Sequence, residues 1–316
     1  MIKLISKGLI CLFISFFFLY LIYSFRVEKT VNDMRQIWET DASNYVMVDN
    51  ISIHYQKFGL KNDSTVIVFL PSYNFSGYIF EEMAKAISKR RTCIVIDLPN
   101  TGLSESFKSN KEKDLINYVE FLNRIFEELR LEKVYLVGQG FGSELAMSYS
   151  IYFPEKVKKM VLINPLGRQE INKNTTAYYN LLNSPILGEI LYNLKPNFLV
   201  KKFYKDLFYK NNGYVQEKYD RFISEFDRFG FQRRIQFILE NTMNNRVNDY
   251  SLIQVPSLLL ESEKGFYYRN SKLVQYKNEA LFSDTMSLKQ AGQLPMITYP
   301  EKLGRIVEYF FFKKVD

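Results

Sequence analysis

The spacing of glycines in the run Gly138–Gly142 (GQGFG) is the feature of this sequence most closely tied to chemistry. The run follows the apolar segment Val134–Val137 and precedes a helical pattern, so it predicts a sharp turn from a strand into a helix. The first N–H groups of such a helix suit a carboxylate or carbonyl ligand. A dinucleotide site is the weaker interpretation, because Ser143 stands where its third glycine belongs and the next strand ends in Asn164, not an acid.

Several side chains near this turn are candidates for a nucleophile or a base. Ser143 lies about one helical turn beyond Gly140, and Ser72 and Ser262 fall in loops expected on the same side of the fold. Three neighbours can serve as a base, namely Lys264, Glu261 and Glu263. A serine–lysine pair is known chemistry, but nothing in the spacing of these residues requires it.

The chain contains a single histidine, His54. Imidazole is the one side chain whose unperturbed pKa suits proton relay near pH 7. His54 lies inside the early predicted strand Ile51–Gln56, and we expect it to be a packed strand residue, away from the carboxyl edge of the sheet where ligands bind in such folds. The sequence therefore predicts no histidine base beside Gly140.

Alternating strand and helix patterns from Val46 onward predict an α/β fold, with a mostly parallel central sheet flanked by helices. Continuously apolar, β-branched runs such as VIVFL, CIVID and VYLV indicate strands covered on both faces. The predicted strands are Tyr45–Val48, Ile51–Gln56, Thr65–Leu70, Thr92–Asp97, Val134–Val137, Met160–Ile163, Ser257–Leu260 and Thr285–Lys289. The predicted crossover helices are Tyr78–Lys89, Asp114–Leu129, Glu144–Phe153, Ser271–Leu281 and Pro300–Phe312. Asp49-Asn50 predicts an antiparallel hairpin between the first two strands.

A long insertion, residues 166–248, separates two parts of the predicted core, residues 45–165 and 249–316. It has helical apolar spacing and no strand-like run, which predicts a helical cap over the carboxyl edge of the sheet. Its basic residues include Lys201, Lys202, Lys205, Lys210, Arg233 and Arg234. They form either a solvated helix face or a surface for anionic lipid or an acidic partner.

The N-terminal segment Gly8–Phe25 is uncharged, strongly apolar and flanked by basic residues. A helix of this length reaches across a bilayer core, and no small-x-small cleavage site follows it. We therefore predict a single-pass membrane anchor over residues 1–29, a polar spacer over residues 30–44 and an extracytoplasmic body. The formal net charge of +8 fits a neighbouring anionic membrane.

Other partner classes have little support in the sequence. No helix-turn-helix, zinc-knuckle or RNP motif indicates nucleic-acid binding. The chain has two cysteines, Cys11 and Cys93, which are too few for a zinc site made of cysteine alone. We predict neither a cofactor nor a metal site.

Six segments, taken in order, resemble the α/β-hydrolase superfamily in its branch of single-domain hydrolases with a helical cap. They are ISIHYQKFG, VIVFLPSYNFSGYIFEEMAKAIS, CIVIDLPNTGLSE, VYLVGQGFGSELAM, VPSLLLESEKG and AGQLPMITYPEKLGRIVEYF. The fourth resembles the family's nucleophile elbow, G-x-S-x-G, and the last two resemble its acid-bearing strand and its final loop and helix. The resemblance covers nearly all of Val46–Phe312.

Each catalytic position implied by the resemblance holds a residue without the required chemistry. Gly140 stands at the nucleophile position, Gly265 at the acid and Gln293 at the base. Three further positions also differ, namely Asn164 for an alternative acid, Pro71-Ser72 for the oxyanion loop and Asn100-Thr101 after the fourth strand. Loss of a triad nucleophile costs on the order of a million-fold in turnover.

The expected function is therefore that of a membrane-anchored pseudoenzyme that binds a protein partner or a small apolar or carboxylate ligand. The candidate ligand-binding residues are Ser72, Tyr73, Gln139, Gly140, Phe141 and Gln293, with the N–H groups of Tyr73 and Phe141 as oxyanion donors. Two alternatives stay open. One is an active esterase- or lipase-like serine hydrolase with a non-standard nucleophile or base, and the other is a scaffold within a membrane complex.

Overall fold

A computed structural model of the chain describes residues 14–19, 28–59, 66–73, 75–108, 114–165, 197–209, 215–230, 249–265, 270–280 and 282–313. Eight strands form one sheet in the order β1-β2-β4-β3-β5-β6-β7-β8. They are β1 (Ser43–Val48), β2 (Ile51–Phe58), β3 (Val66–Leu70), β4 (Thr92–Ile96), β5 (Val134–Gln139), β6 (Val157–Ile163), β7 (Ser257–Ser262) and β8 (Ser283–Leu288). Each of the eight predicted strands overlaps one of them, so the sheet prediction is confirmed.

The pairing of the strands follows the burial of their side chains. β1 pairs antiparallel with β2, and β2 with β4, whereas the other neighbouring pairs are parallel. The predicted hairpin turn is confirmed, because Asp49 and Asn50 both have positive φ, as a tight turn between twisted strands requires. β3, β4 and β5 lie inside the sheet and carry apolar side chains on both faces.

Nine α-helices flank the sheet or belong to the predicted cap in the described part of the chain. They are α1 (Val31–Trp38), α2 (Glu81–Ser88), α3 (Leu115–Glu128), α4 (Phe141–Tyr152), α5 (Asn197–Asp206), α6 (Gln216–Asp227), α7 (Asn270–Glu279), α8 (Pro295–Thr298) and α9 (Pro300–Phe312). One core cluster lies between the sheet and α3 and α4, and it includes Phe121 and Leu145. The cluster on the other face packs α2 and α9 on the sheet and includes Phe69 and Val307. Helices thus cover both faces, as predicted.

Helix α1, in the stretch predicted to be a spacer, lies against the body. Its N-cap Thr30 and Asp33 form a capping box, which satisfies the first backbone N–H groups. Met34 is buried, and Arg35 donates to the carbonyl of Leu103 and the hydroxyl of Ser52. Residues 30–44 are therefore packed structure, and β1 begins within them.

The predicted membrane anchor falls largely outside the described residues. Residues 14–19 are helical, and the rest of Gly8–Phe25 is not described. Among the helices that the structure does describe, none combines the length and the apolar composition needed to cross a bilayer. The anchor stays a prediction.

Two described helices, α5 and α6, belong to the stretch predicted as the cap, and that stretch contacts loops at the carboxyl ends of the parallel strands. The backbone N–H of Gln293 donates to the carbonyl of Leu207, just after α5, at 2.8 Å. Glu225 on α6 accepts from the N–H of Gly102, in the loop after β4. Of the predicted cap, residues 166–196, 210–214 and 231–248 lie outside the described residues.

Candidate functional site

The turn between β5 and α4 depends on glycines. Gly140 has φ 55° and ψ −117°, a backbone conformation that residues other than glycine adopt only with strain. A Cβ on Gly142 would lie 1.9 Å from the carbonyl oxygen of Leu70, so α4 can approach β3 this closely only without a side chain there. The predicted sharp strand-to-helix turn is confirmed.

Ser72 fills the space beside Gly140. Its Oγ lies 2.7 Å from the point where a Cβ on Gly140 would be. The same Oγ accepts a hydrogen bond from the N–H of Phe141, the first residue of α4, at 3.3 Å. The serine hydroxyl therefore occupies the place where a side chain at position 140 would begin, and it engages one of the two predicted oxyanion donors.

Tyr73, the residue that carries the other predicted donor, has a fully buried side chain. Its hydroxyl is 2.5 Å from the hydroxyl of Tyr118 on α3, and its ring packs edge-on against Phe141. These contacts hold the loop after β3 close to the start of α4. Tyr73 thus shapes the floor of the turn through its ring.

Gly265 and Gln293 are neighbours in space, although they lie on different loops. Gln293 Oε1 is 3.1 Å from the point where a Cβ on Gly265 would lie. The amide side chain of Gln293 therefore extends toward the position that the resemblance assigns to the acid. A Cβ on Gly292 would lie 2.4 Å from the carbonyl oxygen of Leu207, so the cap contacts this loop backbone to backbone.

Asn164 joins three parts of the site through its amide. Its Nδ2 donates to the Ser262 hydroxyl at 3.1 Å and to the Gln293 carbonyl at 3.0 Å. Its Oδ1 accepts from the Ser262 N–H at 2.7 Å. Because each of these bonds is buried and needs a donor or an acceptor at a defined atom, an amide fits here and a carboxylate does not.

The remaining candidate nucleophile and base residues have structural partners or lie outside the turn. Ser143 is fully buried, donates to the Ile163 carbonyl at 3.3 Å and accepts from the Ile163 N–H at 3.2 Å. Glu261 is buried in β7, whereas Lys264 is exposed. Ser143 thus bridges α4 and β6 and is not directed toward an open site.

Gln139 is the candidate whose polar atoms the turn leaves without a partner. Its side chain is 0% exposed, and neither its Nε2 nor its Oε1 has a hydrogen-bond partner. Alternation along β5 places it on the same face as Val137, within the core cluster that also contains Phe208 of the cap and Leu294. A buried amide without partners costs about 1–3 kcal/mol for each unsatisfied group, which a ligand or water at this position would offset.

His54 lies at the carboxyl edge of the sheet, which corrects the prediction that it lies away from that edge. β2 runs antiparallel to β4, so the carbonyl of His54 accepts from the N–H of Asp97, the residue that follows β4. Its position in the strand order still separates it from Gly140. Two strands, β4 and β3, lie between β2 and β5, which corresponds to about 14 Å at the usual strand spacing.

The imidazole of His54 is bonded at both nitrogens. Nδ1 is 2.7 Å from Asp97 Oδ2, and Nε2 is 2.9 Å from Ser43 Oγ. A carboxylate can only accept, so Nδ1 carries the proton, whereas Nε2 accepts from the Ser43 hydroxyl in the neutral ring and donates to it in the charged ring. Sequence reasoning missed Ser43, because only the pairing of β1 with β2 brings it beside His54.

Several groups around Asp97 stabilise its ionised form. Burial by itself raises the pKa of the Asp97 carboxyl, but the charge and hydrogen bond of His54 and the N–H groups of Leu103 and Gly77 outweigh burial and hold that pKa below its ordinary value. The Gly77 N–H lies 2.6 Å from Oδ1, and the Leu103 N–H lies 2.9 Å from Oδ2. This carboxylate fixes the loop after β4 to β2 and to the start of α2.

A buried ionic cluster joins the cap to the core beside this pair. Glu81 on α2 accepts from Lys218 at 2.8 Å and pairs with Arg221, and both cations lie on α6. Burial raises the pKa of Glu81, but the two cations more than compensate and lower it to about 2. Arg221 also donates to the carbonyl of Trp38 at 3.2 Å, which connects α1 to the cap.

Half of the basic residues singled out in the predicted cap lie on α5, and the other half lie outside the described residues. Lys201 and Lys202 on α5 are exposed, and Lys205 is half-buried. Lys210, Arg233 and Arg234 lie outside the described residues. The part of the predicted basic surface that can be located is therefore the outer side of α5.

The chain is similar in sequence to known proteins. The model of the family described as "alpha/beta hydrolase fold" matches residues 65–284. Abhydrolase domain-containing protein abhd-5.2 of Caenorhabditis elegans is 28% identical over 108 residues, 34% of this chain and 24% of that protein. The (Lyso)-N-acylphosphatidylethanolamine lipase of Homo sapiens is 28% identical over 109 residues, 34% of this chain and 32% of that protein. The chain thus spans no more than about a third of the length of these two curated relatives.

The similarity to solved structures extends over more of the chain. A membrane phospholipase A described as a bacterial virulence factor superposes with a TM-score of 0.70 at 16% identity, covering 98% of this chain and 98% of that chain. The epoxide hydrolase CorEH superposes with a TM-score of 0.70 at 14% identity, covering 85% of this chain and 98% of that chain. At these identities the likeness shows the fold alone.

Proposed function

Because the chain belongs to the alpha/beta hydrolase fold family, we propose that it is a pseudoenzyme of that family, which acts by binding and not by hydrolysis. The observation that carries this proposal is the contact between Ser72 and the turn at Gly140. The Ser72 hydroxyl takes the space where a nucleophile would begin and accepts the Phe141 N–H. A serine hydrolase needs the first place for its nucleophile and the Phe141 N–H for the oxygen of its substrate's acyl group.

Ser72 itself is poorly placed to replace the missing nucleophile. No imidazole is within reach, because the single histidine of the sequence is bonded to Asp97 and Ser43 on the far side of two strands. The N–H of Phe141 stabilises an oxyanion only when no hydroxyl of the protein accepts from it. The same atom cannot both attack a carbonyl and occupy the pocket for its oxygen.

The ligand that fits best is a small molecule with an apolar body and a carboxylate or amide-like polar end. Gln139 offers one buried donor and one buried acceptor among apolar side chains. The N-terminus of α4 adds partial positive charge close by. Binding would use the side-chain amide of Gln139.

We further propose that the body acts at a membrane, tethered by Gly8–Phe25 as an extracytoplasmic, single-pass protein. The length and composition of that segment support the tether. A protein partner in the same membrane, or a scaffolding role in a membrane complex, would use the same placement.

The test is activity-based labelling of the full chain in detergent or bilayer discs. A fluorophosphonate probe and short-chain p-nitrophenyl esters are applied to the wild-type protein and to the Ser72→Ala variant. The proposal predicts no adduct and no ester turnover above the buffer rate in either. An adduct on any serine of the wild-type chain, together with turnover, would overturn it.

One observation favours a second candidate, an active hydrolase with Ser43 as nucleophile. Ser43, His54 and Asp97 are hydrogen-bonded in the same order as a hydrolytic triad. Against it, Ser43 Oγ also accepts from the N–H of Thr40 at 3.1 Å, and His54 is 4% exposed, which suits an internal strut between β1 and β4. Labelling that maps to Ser43 and disappears in Ser43→Ala would select this function.

A further inference from the structure

The chain that leads from the predicted anchor into the body is fastened to the cap. Lys29 forms a parallel β-bridge with Arg228, directly after α6. The Lys29 N–H donates to the Asp227 carbonyl at 2.6 Å, and the Phe229 N–H donates to the Lys29 carbonyl at 2.8 Å. The Lys29 ammonium adds a bond to Ser224 Oγ at 3.2 Å. The point of entry is therefore fixed relative to α6.

Next to this bridge the cap exposes apolar side chains, which we call the cap aromatic face: Phe203, Ile223, Phe226 and Phe229. Phe229 is 61% exposed and Phe203 is 42% exposed, and the other two are half-buried. The Phe203 ring stacks on Phe222 at 6.0 Å and lies 6.3 Å from Phe226, so α5 and α6 share this surface. Phe229 lies three residues beyond Phe226 in the chain, beside the bridge.

The length of chain outside the body limits how far this face can be from a membrane. The apolar segment Gly8–Phe25 ends four residues before Lys29. Four extended residues reach at most about 14 Å. If the segment spans a bilayer, Lys29 and the adjoining Phe229 lie in the headgroup region or just outside it.

The charges beside the face match an anionic surface. Lys201 and Lys202 precede Phe203 on α5 and are exposed. Basic residues that flank exposed aromatic ones are the arrangement that interfacial helices use on anionic bilayers. Basic residues near such a surface strengthen binding to it.

We propose that the cap aromatic face rests on an anionic lipid bilayer, with Phe229 and Phe203 inserted at the level of the headgroups and Lys201 and Lys202 on the lipid phosphates. The proposal rests on the tether of the proposed function, and it adds which face of the body the membrane covers. The carboxyl edge of the sheet, with the turn at Gly140, then faces the bilayer through the cap.

The experiment measures contact with lipid directly in the full chain. The protein is placed in vesicles of phosphatidylcholine and phosphatidylglycerol that carry brominated acyl chains, which quench tryptophan on contact. The variant is Phe229→Trp, and the matched control is Tyr309→Trp. Tyr309 is 62% exposed on α9, whose last residues pack against Tyr135 near the amino end of β5. Background from the single native tryptophan is subtracted with the wild-type protein.

The expected result is at least twofold stronger quenching in Phe229→Trp than in Tyr309→Trp. The difference should fall by at least half when Lys201→Glu and Lys202→Glu are added or when the phosphatidylglycerol is replaced by phosphatidylcholine. Equal quenching at the two positions, or none at either while the chain is recovered with the vesicles, would overturn the proposal. Those outcomes leave the fluorophosphonate result untouched, so the two failures are distinguishable.

Discussion

Ser72 Oγ and the Cα of Gly140 are so close that a methyl group added to the glycine would lie 2.7 Å from the hydroxyl oxygen. The same glycine has a positive φ. Two separate constraints, steric and conformational, therefore keep position 140 without a side chain. In a hydrolase of this family the constraint at that position is chemical, because the side chain attacks the substrate.

We expect Gly140→Ser to lower the free energy of unfolding by about 1–3 kcal/mol, the usual cost of such backbone strain, with a further loss from the contact with Ser72. The variant should not hydrolyse esters, because no basic side chain of the described residues faces position 140. Urea unfolding and p-nitrophenyl ester assays measure the two effects.

A double variant, Gly140→Ser with Ser72→Gly, is the matched control for that prediction. It should recover part of the lost stability, because the crowded hydroxyl is gone, and still hydrolyse nothing. Turnover in either variant would contradict the interpretation that the proton relay is missing as well as the nucleophile.

Asn164→Asp tests whether the fold tolerates an acid directly after β6, at the alternative position for a catalytic acid. A carboxylate has no N–H for the Gln293 carbonyl, so at pH 7 a buried charge would face that carbonyl oxygen. We expect a loss of about 3 kcal/mol at pH 7 and a smaller loss at pH 4, where more of the carboxyl is protonated. Equal losses for Asn164→Asp and Asn164→Ala at pH 7, in urea unfolding, would show that charge is not the cause.

Ser143→Ala separates a structural serine from a catalytic one. The hydroxyl bonds both the N–H and the carbonyl of Ile163 in a fully buried position, so its removal should cost about 1–3 kcal/mol. Fluorophosphonate labelling should be the same with and without the change. Thermal unfolding followed by circular dichroism gives the stability, and a variant as stable as the wild type would contradict the bridging role.

Glu81→Gln removes the carboxylate between the cap and the core and should destabilise the chain by about 3–5 kcal/mol at pH 7, because two cations are left buried without it. The pKa of Glu81 is lowered to about 2, so its contribution to stability is present above about pH 4.5 and is lost as the pH falls toward 2. That difference corresponds to about 3 kcal/mol.

The measurement is the free energy of unfolding between pH 2.5 and 7 for the wild type, Glu81→Gln and the control Glu82→Gln. Glu82 lies on the same helix but pairs with Lys85 at an exposed position. We expect the control to follow the wild type and Glu81→Gln to have a shallower pH dependence. Parallel curves for all three would refute the role given to Glu81.

The sequence predicted the strands well and the start of one helix poorly, and in both cases the reason is burial on all sides. Strands inside a covered sheet are continuously apolar, so β3, β4 and β5 are visible as short runs of Val, Ile and Leu. Helix α4 begins at Phe141, three residues before the predicted Glu144. Residues 141–150 are buried all round, so α4 has no polar face to mark its period.

Contacts between distant segments were beyond prediction. The bond of Asp97 to His54 depends on a strand order in which β2 joins β4 and not β3. The contact of Ser72 with Gly140 depends on how closely the loop after β3 approaches the turn. A single sequence states which residues occupy the site positions, but not that one of them fills the space left by another.

The ionic contact of Glu81 with Lys218 and Arg221 has a kinetic consequence for anything held beneath the cap. Lifting α6 would separate buried charges, which costs several kcal/mol and slows opening by two or more orders of magnitude. A ligand enclosed there would dissociate slowly, at a rate set by this ionic contact more than by the ligand's own contacts. Because the pKa of Glu81 is lowered to about 2, mild acid does not protonate it and would leave that dissociation rate unchanged.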